Sequence, residues 1–303
     1  MRRWPSTRVA PAASAASQMR TRLISAAVLV PTVVVVFILG RPWTSLGIAA
    51  VAAFAAWEIA QLFRQAGLPA NRWLVLIAPL ALIARFELGG DLYYFGYLPV
   101  LEIALVAMWV LVAAVDGFRH TDPRQGFLAW AGTLTASAYA SLLAFAVAIL
   151  AFGDGNGPEV GRFWLVVLVL TVWTLDSAAY LVGRYMPRGK FFNHISPKKT
   201  WSGAIGGTVA AVVVAAALVA FSSKLVLYSL GPADGIFLGA VIAVAAQAGD
   251  LAESMLKRAA GAKDSGTLIP GHGGFLDRVD SFLFAAPAMF LALHLVSGKV
   301  LSI

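Results

Sequence analysis

The chain has 303 residues, 60% of them hydrophobic and 13% charged, with a mean hydropathy of +0.81. A soluble domain is about 45–50% apolar and about 25% charged, so a soluble enzyme, a disordered regulator and a domain on a single anchor are all excluded. Cysteine is absent, which removes disulfides, thiolate metal sites and a cysteine nucleophile.

Residues 1–22 carry Arg2, Arg3, Arg8, Arg20 and Arg22 among Ser, Ala and Pro and read as a basic cytoplasmic tail. Apolar windows then recur at 23–40, 43–63, 73–89, 95–115, 126–152, 163–183, 204–221, 235–252 and 282–298. Each approaches the roughly 20 residues that a helix needs to cross a bilayer. The expectation is an all-α, polytopic helical bundle with about nine transmembrane helices. Its sections are the tail (1–22), an N-terminal set of spans (23–160) and a C-terminal catalytic region (161–303). The 126–152 window is long enough to tilt or break, and 235–252 is barely long enough.

With the N-terminus inside, most of the 23 basic residues fall in cytoplasmic segments. The other side holds Arg41, Arg85, Arg162, Lys224 and Lys299. That bias sets the orientation and leaves the C-terminus outside. The formal charge of +8 then marks loops and contact with anionic membrane lipids. No basic stripe interleaves with aromatics, so nucleic acid is not an expected partner.

Polar residues that a bilayer should reject are the informative ones. In the first half, Glu58 and Glu102 read as helix-end or packing carboxylates, and Pro31 and Pro79 as ordinary kinks. Three denser clusters follow, all in cytoplasmic segments. In the first, Asp176, Tyr180 and Gly183 lie at i, i+4 and i+7, on one helix face, with Arg184 next. A helix cap or an ion-pair partner explains Asp176 as well as a functional role does.

The second cluster is RYMPRGKFFNHISPKKTWSGAIGG, from Arg184 to Gly207. Ser196 and Thr200 are positioned to cap the helix that follows, and Lys198 and Lys199 beside its N-terminus suit an anion. Topology signals would explain the lysines equally, and helix packing would explain Gly203, Gly206 and Gly207.

The third cluster, from Gln247 to Ser281, holds five acids (Asp250, Glu253, Asp264, Asp277, Asp280) and four cations (Lys257, Arg258, Lys263, Arg278). Asp250, Ser254 and Lys257 share one helix face, and Asp277, Asp280 and Ser281 share another. Gly266, Pro270, Gly271, Gly273 and Gly274 between them force a tight loop. Carboxylates on two helix ends flanking such a loop can hold a hard cation, while cations and loop amides take phosphate oxygens. His272 is a general base, a phosphate contact or merely a loop histidine. Ser254, Ser265 and Ser281 have no suggestively spaced histidine, which disfavours serine hydrolysis.

The run Ser254-Met-Leu-Lys257-Arg258, then Lys263-Asp264, then Pro270-Gly-His272-Gly273-Gly274-Phe-Leu-Asp277-Arg278-Val-Asp280 resembles the signature of the phosphatidate cytidylyltransferases. These integral membrane enzymes make CDP-diacylglycerol. Gly249-Asp250-Leu, Ser196-Pro-Lys-Lys199-Thr200-Trp, Gly206-Gly207 and the stretch from Asp176 to Arg184 resemble that family too. Ser202 departs from it, standing where the family usually has Glu or Gln.

The resemblance implies attack of phosphatidate on CTP with loss of pyrophosphate, assisted by Mg2+ with K+ beside it, in the cell inner membrane with the site facing the cytoplasm. It makes Asp250 and Asp277 the metal-binding carboxylates. Lys257, Lys263, Arg278, Asp280 and His272 would complete the catalytic set. Ser254, Arg258, Asp264, Ser196, Lys199, Thr200, Asp176, Tyr180 and Arg184 would bind substrate. Members of the family are described as homodimers. The competing readings are a CTP-dependent polyprenol or dolichol kinase and an anion transporter. A transporter would need charges near midplane in both halves, and that pattern is missing.

Overall fold

The computed structural model describes residues 31–32, 34–93, 98–152, 158–222, 230–268 and 273–297. Among them every regular element is helical: α1 (Trp43–Gln65), α2 (Arg72–Tyr93), α3 (Leu98–Gly117), α4 (Pro123–Ser141), α5 (Phe145–Ala151), α6 (Pro158–Tyr185), α7 (Trp201–Ser222), α8 (Pro232–Ala259) and α9 (Leu276–Ser297). Six segments are long and apolar enough to cross a membrane: Trp43–Gln65, Pro123–Ala151, Glu159–Tyr185, Trp201–Ser222, Pro232–Ala259 and Leu276–Val296. The windows at 73–89 and 95–115 also fold as helices, α2 and α3. Half of the window at 23–40 lies outside the described residues, as do the basic tail, the Glu102 side chain and His272.

One long window breaks, as its length allows, and one helix outruns its apolar window. The 126–152 window is broken by a 3-10 turn at Leu142–Ala144, which separates α4 from α5. The 235–252 window is not short: α8 runs 28 residues, because Lys257 and Arg258 continue its last turn. Cations are favoured at a helix C-terminus, so the helix runs on past the end of its apolar window at 252.

Local chemistry explains the helix starts. Pro123 stands at the first position of α4, and the Asp122 side chain accepts from the Arg124 N–H at 3.0 Å. Pro232 opens α8, and Asp234 reaches back to the Gly231 N–H at 3.0 Å. Proline at this position loses no helical hydrogen bond, and the aspartates satisfy orphan amides.

Between helices in lipid the driving force is close packing rather than exclusion of water. Two seams of small residues provide it. On α7, a methyl group at Gly203 would lie 2.7 Å from the Ala179 carbonyl of α6, and one at Gly207 would lie 2.8 Å from the Leu175 carbonyl. On α8, Gly235 and Gly239 sit equally close to the backbone of α7 at Ala216 and Val212. At these points α6, α7 and α8 approach backbone to backbone, with small side chains such as Ala179 and Ala215 beside the contacts.

Two apolar cores meet on α9. One packs Trp164, Leu168 and Leu175 of α6 with Leu238 and Ile242 of α8 and Met289 and Leu293 of α9. The other packs Ile59, Leu62 and Phe63 of α1 with Val75 and Ile83 of α2, Ala136 of α4, and Leu276 and Leu283 of α9. α9 thus binds the N-terminal helices to the C-terminal ones. The C-terminal parts of α6 and α8 and the N-terminal ends of α7 and α9 gather at one end of the bundle, as a cavity shared by α6, α7 and α8 and the Lys257–Asp277 contact between α8 and α9 show.

Candidate active site

At that end a cavity of about 360 Å³ opens between α6, α7 and α8. α6 contributes Asp176, Tyr180, Gly183 and Arg184, the i, i+4, i+7 face and its neighbour. The segment before α7 contributes Phe191, Lys198, Lys199 and Thr200. α8 contributes Gln247 and Asp250. All three sequence clusters therefore reach the wall of one cavity.

The segment from Met186 to Thr200 is pinned rather than loose. Lys190 and Thr200 form an antiparallel bridge, and the Phe191 N–H donates to the Lys199 carbonyl at 3.1 Å. The Phe191 ring packs edge-on against Trp201 at 4.6 Å. Thr200 caps α7, its Oγ1 accepting from the Gly203 N–H at 3.1 Å. Ser196 is not a cap: its carbonyl accepts the Lys199 N–H at 3.2 Å in the preceding turn. Ser202 Oγ accepts from the Arg188 N–H at 3.0 Å, so the residue that departs from the family pattern ties this segment down.

Across the cavity, Lys199 Nζ lies 2.6 Å from Asp250 Oδ2. Among the described residues, the other Asp250 oxygen meets the Ser254 hydroxyl, at 3.4 Å, and the side chain keeps 30% of its surface open. Asp176 and Asp280 are its electrostatic neighbours. Arg184 donates to the Tyr180 hydroxyl at 2.8 Å and stands on the rim.

Asp277 occupies a different setting. Its Oδ1 receives Lys257 Nζ at 2.7 Å. Its Oδ2 lies 2.9 Å from each of three donors: the Ser265 N–H, the Ser265 hydroxyl and the Gly274 N–H. Lys257 also sits 2.5 Å from Glu253 Oε2, and the Glu253 side chain is fully buried. Asp250 and Asp277 are thus linked indirectly, through the turn of α8 that carries Glu253 and Lys257. Asp280 accepts from the Ser281 N–H at 2.7 Å, and its backbone carbonyl lies 2.6 Å from where a methyl group at Gly249 would be. This close approach brings Asp280 beside Asp250.

Arg258 is exposed and donates to the carbonyls of Ile195 and Ala262 at 3.4 and 3.2 Å. Lys263, Asp264 and Arg278 stand exposed on the loop after α8 and at the start of α9. Sequence reasoning missed Glu253 as a partner of Lys257, although their i, i+4 spacing was a visible signal. It also missed Ser265, which carried no such signal.

Among the described residues, no group of three or more His, Cys, Asp or Glu is arranged to hold a metal ion. The donor chemistry still suits a hard cation. The acids offer oxygen ligands only, Asp250 has an open carboxylate on the cavity wall, and Asp277 Oδ1 has a lone pair beyond the one facing Lys257.

A sequence model described as the Cytidylyltransferase family matches residues 20–296. Among curated proteins, the phosphatidate cytidylyltransferase of Haemophilus influenzae is 31% identical over 286 residues, 89% of this chain and 96% of that one. The protein of that name from Brucella suis is 35% identical over 285 residues, 91% of this chain and 93% of the other. A third, from Bacillus subtilis, is 39% identical over 142 residues, 47% of this chain and 51% of its own length.

Proposed function

This chain belongs to the cytidylyltransferase family, and we propose that it transfers the cytidylyl group of CTP to phosphatidate, giving CDP-diacylglycerol and pyrophosphate. The reaction joins two anions. A phosphatidate oxygen attacks the α-phosphorus of CTP, the bond from that phosphorus to the β-phosphate bridge breaks, and pyrophosphate leaves with the electron pair. A phosphate monoester is already nucleophilic at neutral pH, so the site needs charge neutralisation and alignment rather than a strong base.

One observation carries the reading: cations from two elements, Arg184 from α6 and Lys198 and Lys199 from the segment before α7, line one cavity with the Asp250 carboxylate. Arg184 and Tyr180 at the rim would take the lipid phosphate. Lys198 and Lys199 would take the triphosphate, with Lys199 exchanging Asp250 for a phosphate oxygen. The seam of α6 and α7 gives the cavity a backbone floor, which leaves room for bulky anions.

Magnesium is part of the same proposal. Asp250 and Asp277 would hold it, and when bound it supplies positive charge to the triphosphate and the departing pyrophosphate. The family resemblance adds potassium beside it, and a homodimer. The proposal also includes about nine spans, the N-terminus in the cytoplasm, the C-terminus outside, and the site facing the cytoplasm from the inner membrane. Basic residues crowd the site's end of the sequence map, which supports this orientation, and CTP is a cytosolic substrate.

The test is direct. Purified protein in detergent, given phosphatidate, CTP and Mg2+, should release pyrophosphate and form CDP-diacylglycerol, and chelation should stop both. Release of CDP with a phosphorylated lipid alcohol would assign a kinase instead. Uptake into vesicles with no nucleotide chemistry would assign a transporter.

A further inference from the structure

Glu58 is an acid that the reaction above leaves unused. It sits on α1, which contributes nothing to the cavity wall, and it is 2% exposed. Its carboxylate nevertheless reaches the catalytic end. Oε2 accepts from the Ser265 hydroxyl at 2.8 Å and from the Leu276 N–H at 2.9 Å. Oε1 accepts from the Phe275 N–H at 3.1 Å. Those two amides are orphan donors at the start of α9, where a negative charge is favoured. Glu58 is therefore an N-terminal cap supplied by another helix, from more than 200 residues away.

Two further features of the sequence fit around it. A methyl group at Gly266 or Gly274 would run into the Glu58 carboxylate. Phe54, one turn before Glu58, stacks on Phe275 with ring centroids 4.6 Å apart. Ser265 joins the two carboxylates: its hydroxyl lies 2.8 Å from Glu58 Oε2 and 2.9 Å from Asp277 Oδ2. That hydroxyl has one proton to give, so displacing either acid alters the hold on the other.

We propose that Glu58 is a positioning residue for cytidylyl transfer: from α1 it fixes Ser265 and the start of α9, and through them the placement of Asp277 and Lys257. It touches neither substrate. The proposal rests on the reaction read above.

The experiment is a double-mutant cycle in the full-length, detergent-purified protein, with CDP-diacylglycerol formation as readout. Glu58→Gln keeps the shape but turns an N–H toward a donor that the carboxylate had accepted. Its kcat should fall about 10- to 100-fold, the cost of a small misplacement, while KM for CTP and for phosphatidate stays within about threefold. Ser265→Ala should lower kcat with the same KM pattern. The double variant should be little worse than Glu58→Gln, because the two act in one network. A kcat within about twofold of the parent, losses that simply multiply, or a fall matched by loss of folded protein would overturn the proposal.

Amide exchange separates this test from that of the reaction. Glu58→Gln should deprotect the first turn of α9. If the parent protein forms no CDP-diacylglycerol, the reaction reading fails, and unchanged exchange there would overturn the cap independently. If Glu58→Gln does not accumulate, Ser265→Ala carries the kinetic test alone, and a parental kcat in it overturns the proposal.

Discussion

Asp250, inside the C-terminal part of α8, and Asp277, at the start of α9, are acids on the same side of the bundle, yet their surroundings are opposites. Asp250 faces a cavity, holds one lysine and leaves an oxygen nearly free. Asp277 is gripped by a lysine, a hydroxyl and two amides. An open carboxylate is available to a ligand, whereas one held this firmly organises its neighbours and keeps only a lone pair on Oδ1 to offer. The difference divides the proposed catalytic end into a cavity wall on α6–α8 and a clamp that fastens α8 and α9 to α1.

The largest effect should come from the wall. Asp250→Asn is expected to cut CDP-diacylglycerol formation by about 1000-fold, as when a group acting on transition-state charge is lost, with an unchanged elution volume and melting temperature. Near-parental turnover would erase the distinction between wall and clamp. Next comes Lys257→Met, which strands the buried Glu253 carboxylate. Removing one partner of a buried pair costs about 3–5 kcal/mol, so a lower melting temperature should accompany the activity loss. A clamp residue should show both deficits, and a stable but inactive Lys257→Met protein would move Lys257 to the wall.

Arg184→Ala should raise KM for phosphatidate about tenfold, the worth of one charge-assisted contact, with kcat within about threefold. An effect confined to CTP would reassign the rim. The smallest effect is expected at the far end of the bundle. Glu159→Gln breaks a pair with Arg162 whose acid is 69% exposed, which costs less than about 1 kcal/mol and should leave turnover unchanged.

The wall was easier to read from sequence than the clamp. Asp176, Tyr180 and Gly183 could be placed on one face because helical spacing is local. The same holds for the Thr200 cap, three residues from the amide it serves. Hydropathy found the helices but misjudged where α8 stops, since a helix that leaves the lipid carries on with charged residues. The clamp depends on Glu58 meeting Ser265, 207 positions away. No periodicity encodes that, and a lone glutamate in an apolar helix reads as a packing carboxylate until its partners are known. Glu253 was hidden differently: it stood in a crowd of acids, where its i, i+4 spacing to Lys257 was a signal that only its burial makes decisive.

The glycine seams set a limit on how this protein can change. Where α6, α7 and α8 press main chain against main chain, no side chain remains to be enlarged, trimmed or recharged. Attempts to retune its choice of lipid or nucleotide must therefore work on the perimeter, at positions such as Tyr180, Arg184 and Lys198. Libraries that vary Gly203, Gly207, Gly235 or Gly239 should return mostly collapsed proteins.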